Sequence, residues 1–283
     1  MRDEREPRER DRVADAALAV LYLFTLAALA GYASFGLHPG LLVRYPDAAG
    51  VYAVAFTFFA RAQIVLAGAV LALLLVRRAG LRWLPAFAAL YALSLGSELL
   101  GTSAGIPFGD YRYTEALGTR WFGLVPALIP LSWFFMAVPS YALARHALPG
   151  AGRGAARVLL ASLVLVGWDL SLDPAMSHAT RYWVWGQPGP YYGMPLLNLA
   201  GWYVTGLALM AALALLRADA WIARLPVRWM ALFYGANLLL PVGMIAARGM
   251  WGALAATLGA LAVAGMAMRL RAMKSAARAE ALA

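Results

Sequence analysis

Residues 51–78 read VYAVAFTFFARAQIVLAGAVLALLLVRR. Between Val51 and Val76 the one charged residue is Arg61, and the stretch closes on Arg77-Arg78. About 20 apolar residues in helical form cross a hydrocarbon core of about 30 Å, so this run is long enough to span a bilayer. Seven further stretches have the same character: 14–35, 84–103, 123–145, 156–173, 191–216, 229–247 and 250–270. The last two form one apolar run broken at Ala247-Arg248-Gly249. Composition agrees. Hydrophobic residues make up 63% of the chain and charged residues 13%, against about 25% charged in ordinary soluble domains. The fold expected is an all-α integral membrane protein of about eight transmembrane helices. It forms a single transmembrane domain over 14–270, with a charged tail at 1–13 and a second tail at 271–283.

The basic residues orient the spans. The N-terminal tail holds Arg2, Arg5, Arg8, Arg10 and Arg12. The even-numbered loops hold three each: Arg77, Arg78 and Arg82; Arg145, Arg153 and Arg157; Arg217, Arg224 and Arg228. Arg269, Arg271, Lys274 and Arg278 follow the last span. The odd loops hold only Arg44, then Arg112 and Arg120, then Arg181, then Arg248. By the positive-inside rule both termini are cytoplasmic and the protein sits in the cell membrane. The alternation is unbroken, and an odd number of spans would spoil it. The same distribution turns the net charge of +10 away from nucleic acid and toward topology and anionic head groups. A signal-peptide reading, with Ala28-Leu29-Ala30 as a cleavage site, is weaker, because the leading tail is rich in acids as well as arginine. The loop 146–155, with Pro149, Gly150, Gly152 and Gly154, reads as a flexible connector.

Charges within a bilayer are costly, so each one needs a reason. The spans hold Arg61, Glu98, Asp169 and Asp173, with Gln63, Asn198 and Asn237 as uncharged polar groups. With the orientation set, Glu98, Asp169, Asp173 and Asn198 all fall in the outer portions of their helices. Asp169 and Asp173 are four apart and share a helix face. Two carboxyls on one dry face cannot both ionise cheaply, and one kept neutral can donate a proton. The structural alternatives are an Asp169–Arg61 pair and Asp173 as a cap before Pro174. Arg61 is expected to position a carboxylate. Asn198 and Asn237 serve equally well as interhelical hydrogen-bonding groups.

Two long outer loops follow the acid-bearing helices. One runs Gly101-Thr-Ser-Ala-Gly-Ile-Pro-Phe-Gly-Asp-Tyr-Arg-Tyr113; the other runs from Asp173 through Trp183-Val-Trp185 to Pro195. An aromatic belt at the interface covers some of their aromatics, but not Asp110 or His178. The two helix–loop–helix units resemble one another, Glu98 preceding Pro126 much as Asp169 precedes Pro195. Cysteine is absent, which removes disulfides, thiolate metal sites and cysteine nucleophiles. No cluster has common metal-ligand spacing.

The stretch Glu98-Leu-Leu-Gly-Thr-Ser-Ala-Gly-Ile-Pro-Phe-Gly-Asp-Tyr-Arg-Tyr113, then Trp168-Asp-Leu-Ser-Leu-Asp-Pro174, Trp183-Val-Trp185 and Tyr192-Gly-Met-Pro-Leu-Leu-Asn-Leu-Ala-Gly-Trp202, resembles the membrane-integral carotenoid biosynthesis proteins. These include the carotenoid 1,2-hydratases that act on gamma-carotene, lycopene or bisanhydrobacterioruberin. The resemblance spans residues 90 to 205. It implies addition of water to the terminal C1=C2 bond of an acyclic carotenoid end group, without redox cofactor or metal. Asp169 or Asp173 would supply the proton, and Glu98, Asp110 or His178 would orient water and take up its proton. Arg61, Tyr111, Tyr113, Trp168, Trp185, Asn198 and Trp202 would bind the substrate, a lipid-soluble carotenoid entering from the bilayer.

Two other readings compete. Asp169-Leu-Ser-Leu-Asp173 matches the Asp-x-x-x-Asp element of membrane prenyltransferases, but the second aspartate-rich helix of that chemistry is missing. A proton-coupled transporter would also carry intramembrane acids, yet the sequence shows no strong inverted repeat.

Overall fold

The computed structural model describes residues 11–150 and 152–280. Arg2, Arg5, Arg8 and Arg10, and with them most of the expected charged tail, lie outside the described residues. The chain starts with α1 (Arg12–Gly31), opened by the Asp11 carboxylate accepting from the Ala14 amide, and runs on through a π turn at Tyr32–Gly36. A short α2 (Pro39–Arg44) leads to α3 (Pro46–Ala79), which starts earlier than the apolar run because Pro46 sits at its first turn, where a missing N–H costs nothing. Then come α4 (Leu84–Ala104), α5 (Leu128–Ala147), α6 (Gly154–Asp173), α7 (Leu196–Leu215), a short α8 (Asp219–Ile222), α9 (Val227–Ala247) and α10 (Trp251–Glu280). A π turn at Pro174–His178 extends α6.

The molecule is therefore a multi-pass membrane protein. Among the described residues, six helical segments are long and apolar enough to cross a membrane: Arg12–Gly36, Pro46–Ala79, Leu84–Ala104, Gly154–His178, Leu196–Leu215 and Val227–Ala247. The expected fourth span behaves differently. Residues 123–127 are not helical; Val125-Pro126 pair with Arg120-Trp121 in a small hairpin. A proline and the left-handed Phe122 and Gly123 hold that turn. The helix that follows, α5, carries Trp133, Ser140, Tyr141 and two prolines, yet most of its residues are buried. A helix buried all round faces protein rather than lipid, and α5 is the post of the bundle: α3, α4, α6, α7, α9 and α10 pack around it. On the outside, α1 bridges α3 and α9. α10 continues without a break through 271–280, where a separate tail was expected.

At the end of the bundle reached by the C-termini of α4 and α6, the two long loops meet. β1 (Tyr111–Tyr113) pairs antiparallel with β2 (Trp183–Trp185), Tyr111 opposite Trp185 and Tyr113 opposite Trp183. At the other end, the Asp219 carboxylate is bound by Arg157 at 2.9 Å and Arg145 at 3.2 Å. Arg157 also donates to the carbonyls of Leu148 and Gly150. The connector 146–155, expected to be loose, is thus tied down at two carbonyls.

Candidate functional site

The loops carry Tyr-x-Tyr and Trp-x-Trp because they form a ribbon. Alternate side chains of a strand share a face. Tyr111, Tyr113, Trp183 and Trp185 consequently all line one cavity beneath the ribbon, while Arg112 between the tyrosines is exposed. The cavity has a volume of about 610 Å³ and a predominantly apolar wall. That is within the range of about 300–1,000 Å³ usual for small-molecule sites. Glu98, Asp173 and Asn198 line it together with Trp133, Trp168 and Trp202.

Glu98, nearly two turns before the end of α4, is buried in a set of three donors. Its Oε2 accepts from the hydroxyls of Tyr111 and Tyr113, the latter at 2.8 Å, and its Oε1 accepts from the Trp133 indole N–H at 2.9 Å. Burial first, and the neighbouring Glu98 second, push both phenols well above the usual tyrosine range, so both act as donors. Asp173, the last residue of α6, is equally well supplied. Oδ1 accepts from Ser177 at 2.8 Å and from Trp183 at 3.4 Å, and Oδ2 from the Asn198 amide at 2.9 Å. Trp185 supports this set by donating to the Ser177 hydroxyl at 3.3 Å.

Asp169 differs. It is fully buried, one turn back along α6, and does not line the cavity. Its Oδ2 meets the same Asn198 amide at 3.5 Å, and its Oδ1 has no donor. An ionised carboxylate in a dry interior needs donors on both oxygens. Asp169 lacks them, so its surroundings fit a carboxylic acid better than a carboxylate. One amide, that of Asn198, links the two aspartates.

The indoles form a second unit. Trp133 and Trp202 stack with centroids 4.0 Å apart, and Trp168 meets Trp202 edge-on at 5.8 Å. The Trp168 N–H is held by the carbonyl of Asn237 at 3.1 Å. All three rings line the cavity.

Most of the expected site residues meet here: Glu98, Asp173, Asn198, Tyr111, Tyr113, Trp168, Trp185 and Trp202 at the cavity, with Asp169 directly behind. Three do not. Arg61 binds no carboxylate; it donates to the carbonyls of Ala116 at 2.9 Å and Glu115 at 3.1 Å, because the 3-10 turn Glu115–Leu117 presents its backbone to α3. Arg61 therefore anchors the lid loop. Asp110 is exposed at the start of the ribbon, where its backbone carbonyl accepts from Gly186. His178 is exposed at the end of the π turn, edge-on to Tyr192 at 5.9 Å. Trp133, Trp183 and Ser177 were not anticipated. A tryptophan N–H inside an apolar span needs an acceptor when buried, and that was the signal for Trp133. Among the described residues, no group of three His, Cys, Asp or Glu is placed to hold a metal ion.

Fold and site together define a multi-helix membrane protein whose apolar cavity is floored by indoles and closed by buried carboxyls under an aromatic ribbon. Residues 59–266 match the family described as carotenoid biosynthesis protein. The chain belongs to that family. A relative, bisanhydrobacterioruberin hydratase of Haloarcula japonica, is 38% identical over 133 residues, which covers 46% of this chain and 43% of the relative. The match thus spans less than half the length of that protein. No solved structure matches.

Proposed function

We propose that the protein is a carotenoid 1,2-hydratase that adds water to the terminal C1=C2 bond of an acyclic carotenoid end group. The observation that carries this reading is a cavity both apolar enough for a hydrocarbon and bounded by Asp173 and Glu98, in a chain of the carotenoid biosynthesis family. The Haloarcula relative, named as a hydratase of a carotenoid, supports it.

The reaction is redox-neutral: one water and one alkene give one tertiary alcohol. Asp173 reaches the cavity and gives its proton to C2, forming the new C–H bond with the π electrons of the alkene. The cation left at C1 is tertiary and faces the indoles of Trp133, Trp168 and Trp202, each ring contributing about 0.5–2 kcal/mol. Water bonds through oxygen to C1, and Glu98 accepts the proton it sheds. Glu98 can do so because Oε1 has a single donor, Trp133, and keeps a lone pair. The site resets when that proton returns to Asp173. Asp169, in the protonated form its surroundings favour, lies one turn behind Asp173 and shares the Asn198 amide donor with it. Asp110 and His178 have no part in this scheme, and Arg61 acts only through the lid loop.

In the membrane, α5 and α10 complete eight crossings, with both termini cytoplasmic and the ribbon on the outer side of the cell membrane. The excess of Lys and Arg at the end bearing Asp219 supports this arrangement.

The test is expression in a bacterial host that makes lycopene or gamma-carotene, followed by chromatography and mass spectrometry of the pigments. A new pigment heavier by one water is the expected result. Unchanged pigments with the protein present in the membrane would refute hydration of those substrates.

A further inference from the structure

The cavity is not sealed on all sides. Its wall on α3 runs from Asp47 to Ile64, about 25 Å of helix, so it is elongated along that helix. Its wall on α1 is made of Ala27, Ala28, Gly31, Tyr32 and Phe35. Several of these residues also face outward: Ala27 is exposed, and Val51 on α3 is 71% exposed. The same cavity that ends on Asp173 therefore reaches the lipid-facing surface between α1 and α3.

Two aromatic rungs frame this opening. Toward the far end of the bundle, Phe24 meets Phe59 with centroids 4.7 Å apart, and below it Thr25 and Gln63 are hydrogen-bonded at 2.9 Å. Toward the ribbon, Phe35 meets Tyr52 at 5.6 Å. Between the rungs α1 offers only Ala27, Ala28 and Gly31 to the cavity before Tyr32, while α3 offers Ala55 and Phe56, the ring of Phe56 stacked on Tyr182 at 5.5 Å. Along α3 the gap from Tyr52 to Phe59 is about 10 Å of helix, more than a linear polyene is thick. The α1 wall precedes the segment 59–266 that matches the family.

We propose that this slot between α1 and α3 is the groove that admits an acyclic polyene sideways from the bilayer and holds its tail while the end group sits at Asp173. The proposal rests on the hydratase reading for the identity of the ligand, a linear isoprenoid hydrocarbon. The shape argues for that class. The α1 side of the slot, with alanine and glycine between the rungs, leaves room for a thin unbranched chain, and its few polar groups (Asp47 at the rim, the hydroxyls of Tyr32 and Tyr52 and the Gln63 amide) leave most of the wall apolar.

Tryptophan replacements that fill the slot test it: Ala28→Trp, Ala55→Trp, and Val51→Trp at a position open enough to avoid crowding the bundle. Leu163→Trp, at a lipid-facing position on α6 that is 54% exposed, is the control. Each protein is purified from membranes containing an acyclic carotenoid, and retained polyene per protein is read by absorbance. The slot variants are expected to retain less by about fivefold or more, as overfilling a packed space predicts, and the control to match wild type. Conversion of the carotenoid should fall in parallel. Retention equal to wild type in all three slot variants, or no polyene on the wild type, overturns the groove. Polyene held by the wild type, lost from the slot variants and never hydrated upholds the groove and refutes the hydratase reading.

Discussion

Glu98 and Asp169 are both buried carboxyls in helices of the same bundle, and their surroundings are opposite. Glu98 receives three donors from two other segments: Tyr111 and Tyr113 of the ribbon and Trp133 of α5. Asp169 receives one long contact from Asn198 and none on Oδ1. Asp173, one helical turn beyond Asp169, sides with Glu98 in its hydrogen bonding. A low-dielectric interior strengthens every satisfied hydrogen bond and penalises every missing one. The comparison thus separates a carboxyl surrounded by donors from one that leaves an oxygen without any, and the proposed chemistry depends on that difference.

That contrast can be broken most directly at Asp173. Asp173→Asn keeps the acceptor for Ser177 but removes the acid, and hydration should fall about 100-fold or more, read by product formation in membranes. A variant that still hydrates at the wild-type rate would remove Asp173 from the chemistry. Next in size is Glu98→Gln. Its amide N–H2 would face the donors of Tyr111, Tyr113 or Trp133, and leaving one of them unmatched should cost about 1–3 kcal/mol, seen as a lower thermal midpoint in detergent together with lost activity. Tyr111→Phe and Tyr113→Phe each remove one donor and should cost about 1 kcal/mol. Their effects should not add, since both serve the same oxygen. The smallest effect is expected at Asp169→Asn. It removes an acceptor that already lacks a partner, so stability should change by less than about 1 kcal/mol, while turnover slows. If Glu98→Gln and Asp169→Asn shift the thermal midpoint equally, the distinction between the two carboxyls fails.

The ribbon shows why part of the site was legible and part was not. Tyr111-Arg-Tyr113 and Trp183-Val-Trp185 carry a period-two pattern that a strand turns into one wet and one buried face. Read as loop aromatics they suggested an interfacial belt; read as strands they form a lid. Nothing in either loop alone states that the two pair with each other, because strand pairing between distant segments depends on where α4 and α6 end. Arg61 makes the same point. A lone arginine in an apolar span requires a partner, and that much the sequence demands; backbone carbonyls of a turn 54 residues away satisfied it in place of a carboxylate.

The sequence by itself determined the membrane-spanning class, since no soluble core could cover this much apolar surface, and the small set of intramembrane acids, since each charge in a bilayer must have a purpose. It also carried the spacing that puts Asp169 and Asp173 on one face. Only the tertiary structure decided which of them reaches the cavity, which donors each carboxyl receives, that α5 is the central post, and that α1 and α3 leave a slot between aromatic rungs. These are consequences of how helices pack side by side, and hydropathy along a single helix holds no information about its neighbours.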